Sequence, residues 1–287
     1  MIARGEGTLE AVLVGEARWC VVHGEGVSIG ERHAGVDWGA RDVLATLPDL
    51  SVDHVLTDPP YSAAVHKNMR SSKRDGLPDV AEFACRARRQ RDLHFDPITV
   101  PEMEALCDQV ERICRRWFAV FSDVESCHLW RGALTEFEYI RTAAWFREGG
   151  APQFTGDRPS SGFEAITLSH RKGRKRWNGG GKSGTYAFPI VANRAGHRGD
   201  RLNEAQKPEG LMLALARDFT DPGELIVDAY NGSGTTGVAA LRLGCRYIGI
   251  ERRLEQVEKA RARFRALNLD ETLHAGRGKR MRQLTLA

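Results

Sequence analysis

At 287 residues, with 28% charged and 8% aromatic residues, the chain can bury about three quarters of its unfolded surface and needs no disulfide scaffold. Six cysteines without C-x-x-C spacing argue against structural zinc and fit a reducing compartment. No apolar run approaches the roughly 18 residues of a membrane span, and no basic-then-apolar signal segment opens the chain, so a soluble, cytoplasmic protein without membrane partners is expected. The net charge of +4 is concentrated in three stretches. These are Lys67, Arg70, Lys73, Arg74, Arg86, Arg88, Arg89 and Arg91, then R-K-G-R-K-R at 171–176, then Arg277, Lys279, Arg280 and Arg282 near the end.

In chain order, residues 52–57 read as a short buried strand, stopped by T-D-P-P-Y at 57–61. Pro59 and Pro60 remove donors and fix φ, so no central strand continues there, and a stiff turn is expected to hold Asp58 and Tyr61 in fixed relation. The spacing of Met103, Leu106, Val110, Ile113 and Trp117 predicts a helix over 101–116, capped by Thr99. A strand over 118–121, a helix over 128–137 and strands over 139–146 and 163–169 follow, the last two separated by a Gly/Pro/Ser-rich hairpin loop. Residues 171–205 are polar and lack a period, as an insert would be. Beyond them come a helix over 209–219, a strand over 225–227, a helix over 235–243, a strand over 247–250 and a helix over 254–267. Alternating strands and helices predict an α/β fold with a mostly parallel sheet covered on both faces.

D-A-Y-N-G-S-G-T-T-G at 228–237 places Gly232, Gly234 and Gly237 in G-x-G-x-x-G spacing between a strand and a helix. Glycines allow close backbone approach, and the helix start offers free N–H groups to a nucleotide-like ligand. Glu251 closes the next strand, where an acid can accept both ribose hydroxyls. A dinucleotide and an adenosyl compound both fit that pattern. Asp228 would crowd a pyrophosphate and would suit the cationic amino-acid end of S-adenosylmethionine, which favours the second.

With T-D-P-P-Y, D-A-Y-N-G-S-G-T-T and E-A-Q-K-P at 204–208 in one chain, the sequence resembles the DNA amino-methyltransferases in the permuted order of the beta group, over roughly 18–267. The resemblance implies a Rossmann-like class I methyltransferase sheet with one antiparallel hairpin strand, a catalytic half at 1–170, a target-recognition insert at 171–205, a cofactor half at 206–267 and a basic tail at 268–287. It assigns catalysis to Asp58, Pro59, Pro60 and Tyr61. The cofactor falls to Gln206, Lys207, Asp228, Tyr230, Asn231, Gly232, Ser233, Gly234, Thr235 and Glu251, and DNA contact to Arg171, Lys172, Arg174, Lys175 and Arg176. The family's usual proline after the acid of the glycine motif is Ala229 here, and Glu25 and Asp37 are both candidates for the acid that meets the cofactor's adenine.

The implied partners are double-stranded DNA and a second copy of the chain, because a small insert gives one subunit limited purchase on a duplex. Asp at position 58 points to adenine N6, since sequences resembling the cytosine-N4 enzymes usually carry Ser there. Three other readings remain: cytosine-N4 methylation through the same turn, methylation of a protein amide through a related N-P-P-Y turn, and nucleic-acid binding with an inactive cofactor site.

Overall fold

The computed structural model describes residues 6–24, 39–63, 96–149, 159–191 and 206–267. Eight strands form one sheet: β1 (Trp19–His23), β2 (Val52–Thr57), β3 (Cys114–Ser122), β4 (Phe137–Glu148), β5 (Phe163–Arg171), β6 (Thr185–Pro189), β7 (Leu225–Asp228) and β8 (Arg246–Glu251). Their order is β1-β8-β7-β2-β3-β5-β4-β6, and every pairing is parallel except the two made by β5. The expected Rossmann-like sheet with one antiparallel hairpin strand is therefore the fold.

Helices α1 (Leu9–Leu13), α2 (Gly39–Thr46), α3 (Val100–Ile113) and α4 (Cys127–Gly132) share a core with one face of the sheet. Helices α5 (Glu209–Phe219), α6 (Thr235–Arg242) and α7 (Leu254–Arg265) share the other. Both faces of the central strands are thus removed from water, which is why β2 is buried along its whole length. Helix α3 shows how the sequence sets its own boundary. Thr99 and Glu102 form a reciprocal capping box, with Thr99 N–H donating to Glu102 at 2.7 Å, and Met103, Leu106, Cys107, Val110 and Ile113 are buried at helical spacing.

The helix expected over 101–116 ends at Ile113, because Cys114 is already extended and begins β3. Cys114 and Trp117 pair with Val52 and His54 of β2, and Arg115 and Arg116 lie between them at a shift of register, held extended against their helix propensity. The expected helix over 128–137 is likewise shorter, and Phe137 belongs to β4.

The largest difference lies in the presumed insert. Residues 185–189 form β6, an edge strand that pairs in parallel with β4 from Thr185↔Ala144 to Pro189↔Glu148. Tyr186 anchors it, donating to Asp218 on α5 at 2.7 Å. The stretch before β6 wraps the end of α5, where the Asn178 N–H donates to Asp218 O at 2.8 Å and the Trp177 ring packs 5.0 Å from Phe219. Among the described residues, no helix is long and apolar enough to cross a membrane.

Candidate active site

Strands β2 and β7 lie side by side with His54 opposite Ile226 and Val55 opposite Val227. From β7 the chain moves through α6 to β8 on one side, and from β2 through α3 to β3 on the other. Connections that diverge in this way open a crevice at the carboxyl ends of the two strands, where open α/β sheets bind ligands. The turn at 58–63 forms one wall and the loop at 229–234 the other.

The loop needs its glycines. Gly234 sits at φ +82°, and a Cβ there would lie 2.8–2.9 Å from Phe264 and Ala260; at Gly237 a Cβ would meet Phe264 at 2.2 Å. Asn231 locks the loop beneath, accepting from the Tyr247 hydroxyl at 2.9 Å and donating to Gly232 O at 2.8 Å. Ser233 is buried and its carbonyl accepts from Arg263 at 2.8 Å, while Thr235 begins α6. Glu251, at the end of β8, accepts from the N–H groups of Gly232 and Arg253, each at 2.8 Å. Tyr230 is half-buried against the apolar core under the loop.

Asp228 closes β7 at the mouth of the loop. Only 1% exposed, it accepts from the Thr57 hydroxyl at 2.8 Å, the Tyr230 N–H at 3.0 Å and the Tyr247 hydroxyl at 3.4 Å. Burial pushes its pKa up against the pull of these donors and of Thr236. Its carboxylate ties the end of β7 to the residue before Asp58.

The turn itself is fastened at both ends. Ser62 N–H donates to Asp123 at the end of β3 at 2.9 Å, and Ile98 N–H donates to Tyr61 O at 3.3 Å. Pro59 is buried and Pro60 half-buried, as a rigid turn against a core requires. Lys207, which the resemblance assigns to the cofactor, reaches this turn. Its ammonium lies 2.6 Å from Asp58 Oδ2 and 3.2 Å from Glu164 Oε2, over the rings of Phe121, Tyr61 and Trp145 at 4.9, 5.3 and 5.9 Å. Gln206 is half-buried beside it. Asp58 Oδ1 is buried and has no hydrogen-bond partner, so one acceptor of the turn stands open.

The charges follow from these contacts. Burial raises the Asp58 carboxyl to about 6, only partly offset by Lys207. Burial alone would lower Lys207, but Asp58 and Glu164 outweigh it and hold the ammonium above its ordinary value. Glu164 would be raised by burial, and Lys207, the Tyr61 hydroxyl and Arg147 pull it below the usual carboxylate range. At neutral pH the site holds two carboxylates around one ammonium. The sequence reading passed over Glu164, although a lone acid near the start of the otherwise apolar F-E-A-I-T-L was a usable signal.

The basic cluster at 171–176 does not join this site. Seven residue steps along β5, about 23 Å of strand, separate Glu164 from Arg171, which lies at the opposite edge of the sheet. Arg171 donates to Cys114 O at 2.8 Å and to Glu111 O, Lys175 pairs with Glu138, and Arg176 pairs with Asp221. Lys172 and Arg174 are exposed on that far edge. Glu25, Asp37, the basic residues of 67–91 and the tail at 268–287 lie outside the described residues.

The pattern of the DNA methylase family of N6 and N4 amino-methyltransferases matches residues 52–262. The chain belongs to this family. Its members depend on S-adenosylmethionine. Among curated proteins, the chain is 22% identical to the type II methyltransferase M.HinfI of Haemophilus influenzae over 251 residues, 78% of this chain and 66% of that protein. That match spans just under two thirds of the relative's length. It is 27% identical to the putative methylase YubD of Escherichia coli K12, covering 76% of this chain and 83% of that one. Among solved structures, the M1.HpyAVI–SAM complex aligns with a TM-score of 0.55 at 18% identity over 85% of this chain and 99% of that one. The cytosine-N4-specific PvuII DNA methyltransferase aligns with 0.61 at 15% identity over 90% and 91%. At these identities the structural likeness establishes the fold.

Proposed function

We propose that the chain is a beta-group DNA adenine-N6 methyltransferase that acts on a base flipped out of a duplex. The observation that carries this reading is the open Asp58 Oδ1 on a rigid Pro-Pro turn beside the glycine-lined crevice. S-adenosylmethionine supplies an electrophilic methyl group. The exocyclic amine of adenine is a weak nucleophile because its lone pair is delocalised into the ring. Asp58 Oδ1 accepts from one amine N–H and the Pro59 carbonyl from the other, which localises that pair and aims it at the methyl. The two prolines present no N–H that would oppose the amine, and the Tyr61 ring gives the base a stacking surface. Tyr61 keeps its proton, since burial and the adjacent carboxylates raise its hydroxyl well above its ordinary value.

A base within a duplex cannot enter such a crevice, so flipping is required at about a few kcal/mol. Asp at position 58, through the resemblance of the turn, favours adenine N6 over cytosine N4. The duplex approaches the edge that carries the turn, because the chain leaves that edge at Ala63 and returns at Asp96, and the intervening sequence holds eight Lys and Arg against four Asp and Glu. A homodimer is supported by Phe146 and Phe163, 44% and 42% exposed with centroids 5.9 Å apart on β4 and β5.

The test is to incubate unmethylated genomic DNA with the pure protein and S-adenosylmethionine, digest it and identify the nucleosides by mass. N6-methyladenine is expected. N4-methylcytosine alone would overturn the base assignment, and no methylated base at all would overturn the reading.

A further inference from the structure

Glu164, the second carboxylate on the Lys207 ammonium, comes from none of the three motifs that carry the methyltransferase resemblance. It stands near the start of β5, the antiparallel strand, 13% exposed at its side chain. It accepts from the Tyr61 hydroxyl, lies 3.2 Å from the Lys207 ammonium through Oε2 and 3.4 Å from Arg147 through Oε1. Lys207 is 9% exposed at its side chain and has three donors, which find Asp58, Glu164 and the Tyr61 hydroxyl, the last at 3.3 Å.

The geometry follows from counting partners. A buried ammonium must satisfy its donors inside the fold. Without Glu164, Lys207 would have Asp58 as its only carboxylate, and both Asp58 oxygens would be drawn toward it. With Glu164 present, Asp58 gives one oxygen to Lys207 and keeps Oδ1 without a partner. The same Glu164 oxygen takes the Tyr61 hydroxyl, which fixes the plane of the stacking ring. The Lys207 ammonium is satisfied by this network, and loss of one member leaves the others short of a partner.

We propose that Glu164 is a positioning residue for methyl transfer, holding the Lys207 ammonium and the Tyr61 ring so that Asp58 keeps one oxygen for the substrate amine. The inference rests on the reading of the turn as the amine acceptor.

The experiment uses the full chain as wild type, Glu164→Ala, Glu164→Gln, Tyr61→Phe and the Glu164→Ala/Tyr61→Phe double variant. Single-turnover methyl transfer to duplex DNA is measured alongside S-adenosylmethionine affinity by calorimetry. Glu164→Ala is expected to slow transfer by about 10- to 100-fold with cofactor affinity within about twofold, and Glu164→Gln, which keeps an acceptor oxygen, to recover part of the loss. Tyr61→Phe is expected to cost less in the Glu164→Ala background than alone, because the two act through one contact. A transfer rate within threefold of wild type, or fully multiplicative losses, would overturn the proposal.

Should Glu164→Ala fail to fold, Glu164→Gln decides through its pH–rate profile. Removing a carboxylate beside Asp58 moves the acid limb to lower pH, and an unmoved limb would overturn the proposal. If wild type itself transfers no methyl group to DNA, the functional reading fails and the inference falls with it. If wild type is active and Glu164→Ala keeps its rate, the inference alone fails.

Discussion

Replacing Asp58 by Ala removes the acceptor on which the chemistry depends. The amine of the flipped base loses one of its two acceptors, and a donor or acceptor aimed at charge that develops in a transition state is worth about 10²–10³ in rate, roughly 2.7–4 kcal/mol. Lys207 makes the loss larger. Its ammonium sits 2.6 Å from Asp58 Oδ2, and after truncation only Glu164 balances it. An uncompensated cation roughly 5 Å from an amine that turns positive opposes it by about 3 kcal/mol per unit charge at an effective dielectric of about 20. Allowing for the Glu164 carboxylate and for partial charge development, about a further tenfold remains. The expected loss is therefore about 10³–10⁴ in the single-turnover rate at saturating cofactor and DNA. S-adenosylmethionine affinity should stay within about twofold, because the glycine loop and Glu251 are held by contacts that do not involve Asp58. The assay is transfer of labelled methyl to DNA, with calorimetry for the cofactor. A rate loss below about 30-fold, or an equal loss in cofactor binding, would refute the reasoning.

Asp58 must be ionised to accept well, and its carboxyl is raised to about 6, so kcat/KM should rise with pH through 6 and level off above about 7. A profile flat down to pH 5 would contradict this. Glu251→Ala should weaken S-adenosylmethionine by about 1–3 kcal/mol in calorimetry through lost ribose contacts and a loosened Gly232 N–H, and an unchanged affinity would place the ribose elsewhere. Neutralising Lys172 and Arg174 on the far edge should leave the salt dependence of DNA binding unchanged, whereas neutralising Lys67, Arg70, Lys73 and Arg74 should flatten it by about 0.9 per lost phosphate contact. Light scattering should report a dimer, and a monomer with and without DNA would contradict the assembly.

The sequence carried the central strands and their loops well because each signal was local. The P-P at 59–60 had to end β2, and glycines at 232, 234 and 237 had to open α6. It carried less where tertiary contacts decide. Arg115 and Arg116 read as the end of a helix, but the pairing of Cys114 and Trp117 with β2 on either side of them places them in β3. The T-Y-A-F-P of β6 shows no period, and its strand character comes from β4 and from the Tyr186–Asp218 bond. The contacts of Asp228 with Thr57 and of Lys207 with Asp58 and Glu164 are not legible in the sequence, since a motif fixes residue type and not which way a buried charge turns. R-K-G-R-K-R reads as a phosphate-binding patch, and its place at the edge opposite the turn follows from the antiparallel run of β5, which the sequence does not show.

The central claim is that Asp58 directs methyl transfer to a DNA amine, and sequencing that reports modified bases in DNA from cells expressing the wild-type chain or its Asp58→Ala variant tests it most directly. The account predicts N6-methyladenine at one recurring short sequence with wild type and none with Asp58→Ala. Modified bases in both, or in neither, would contradict it.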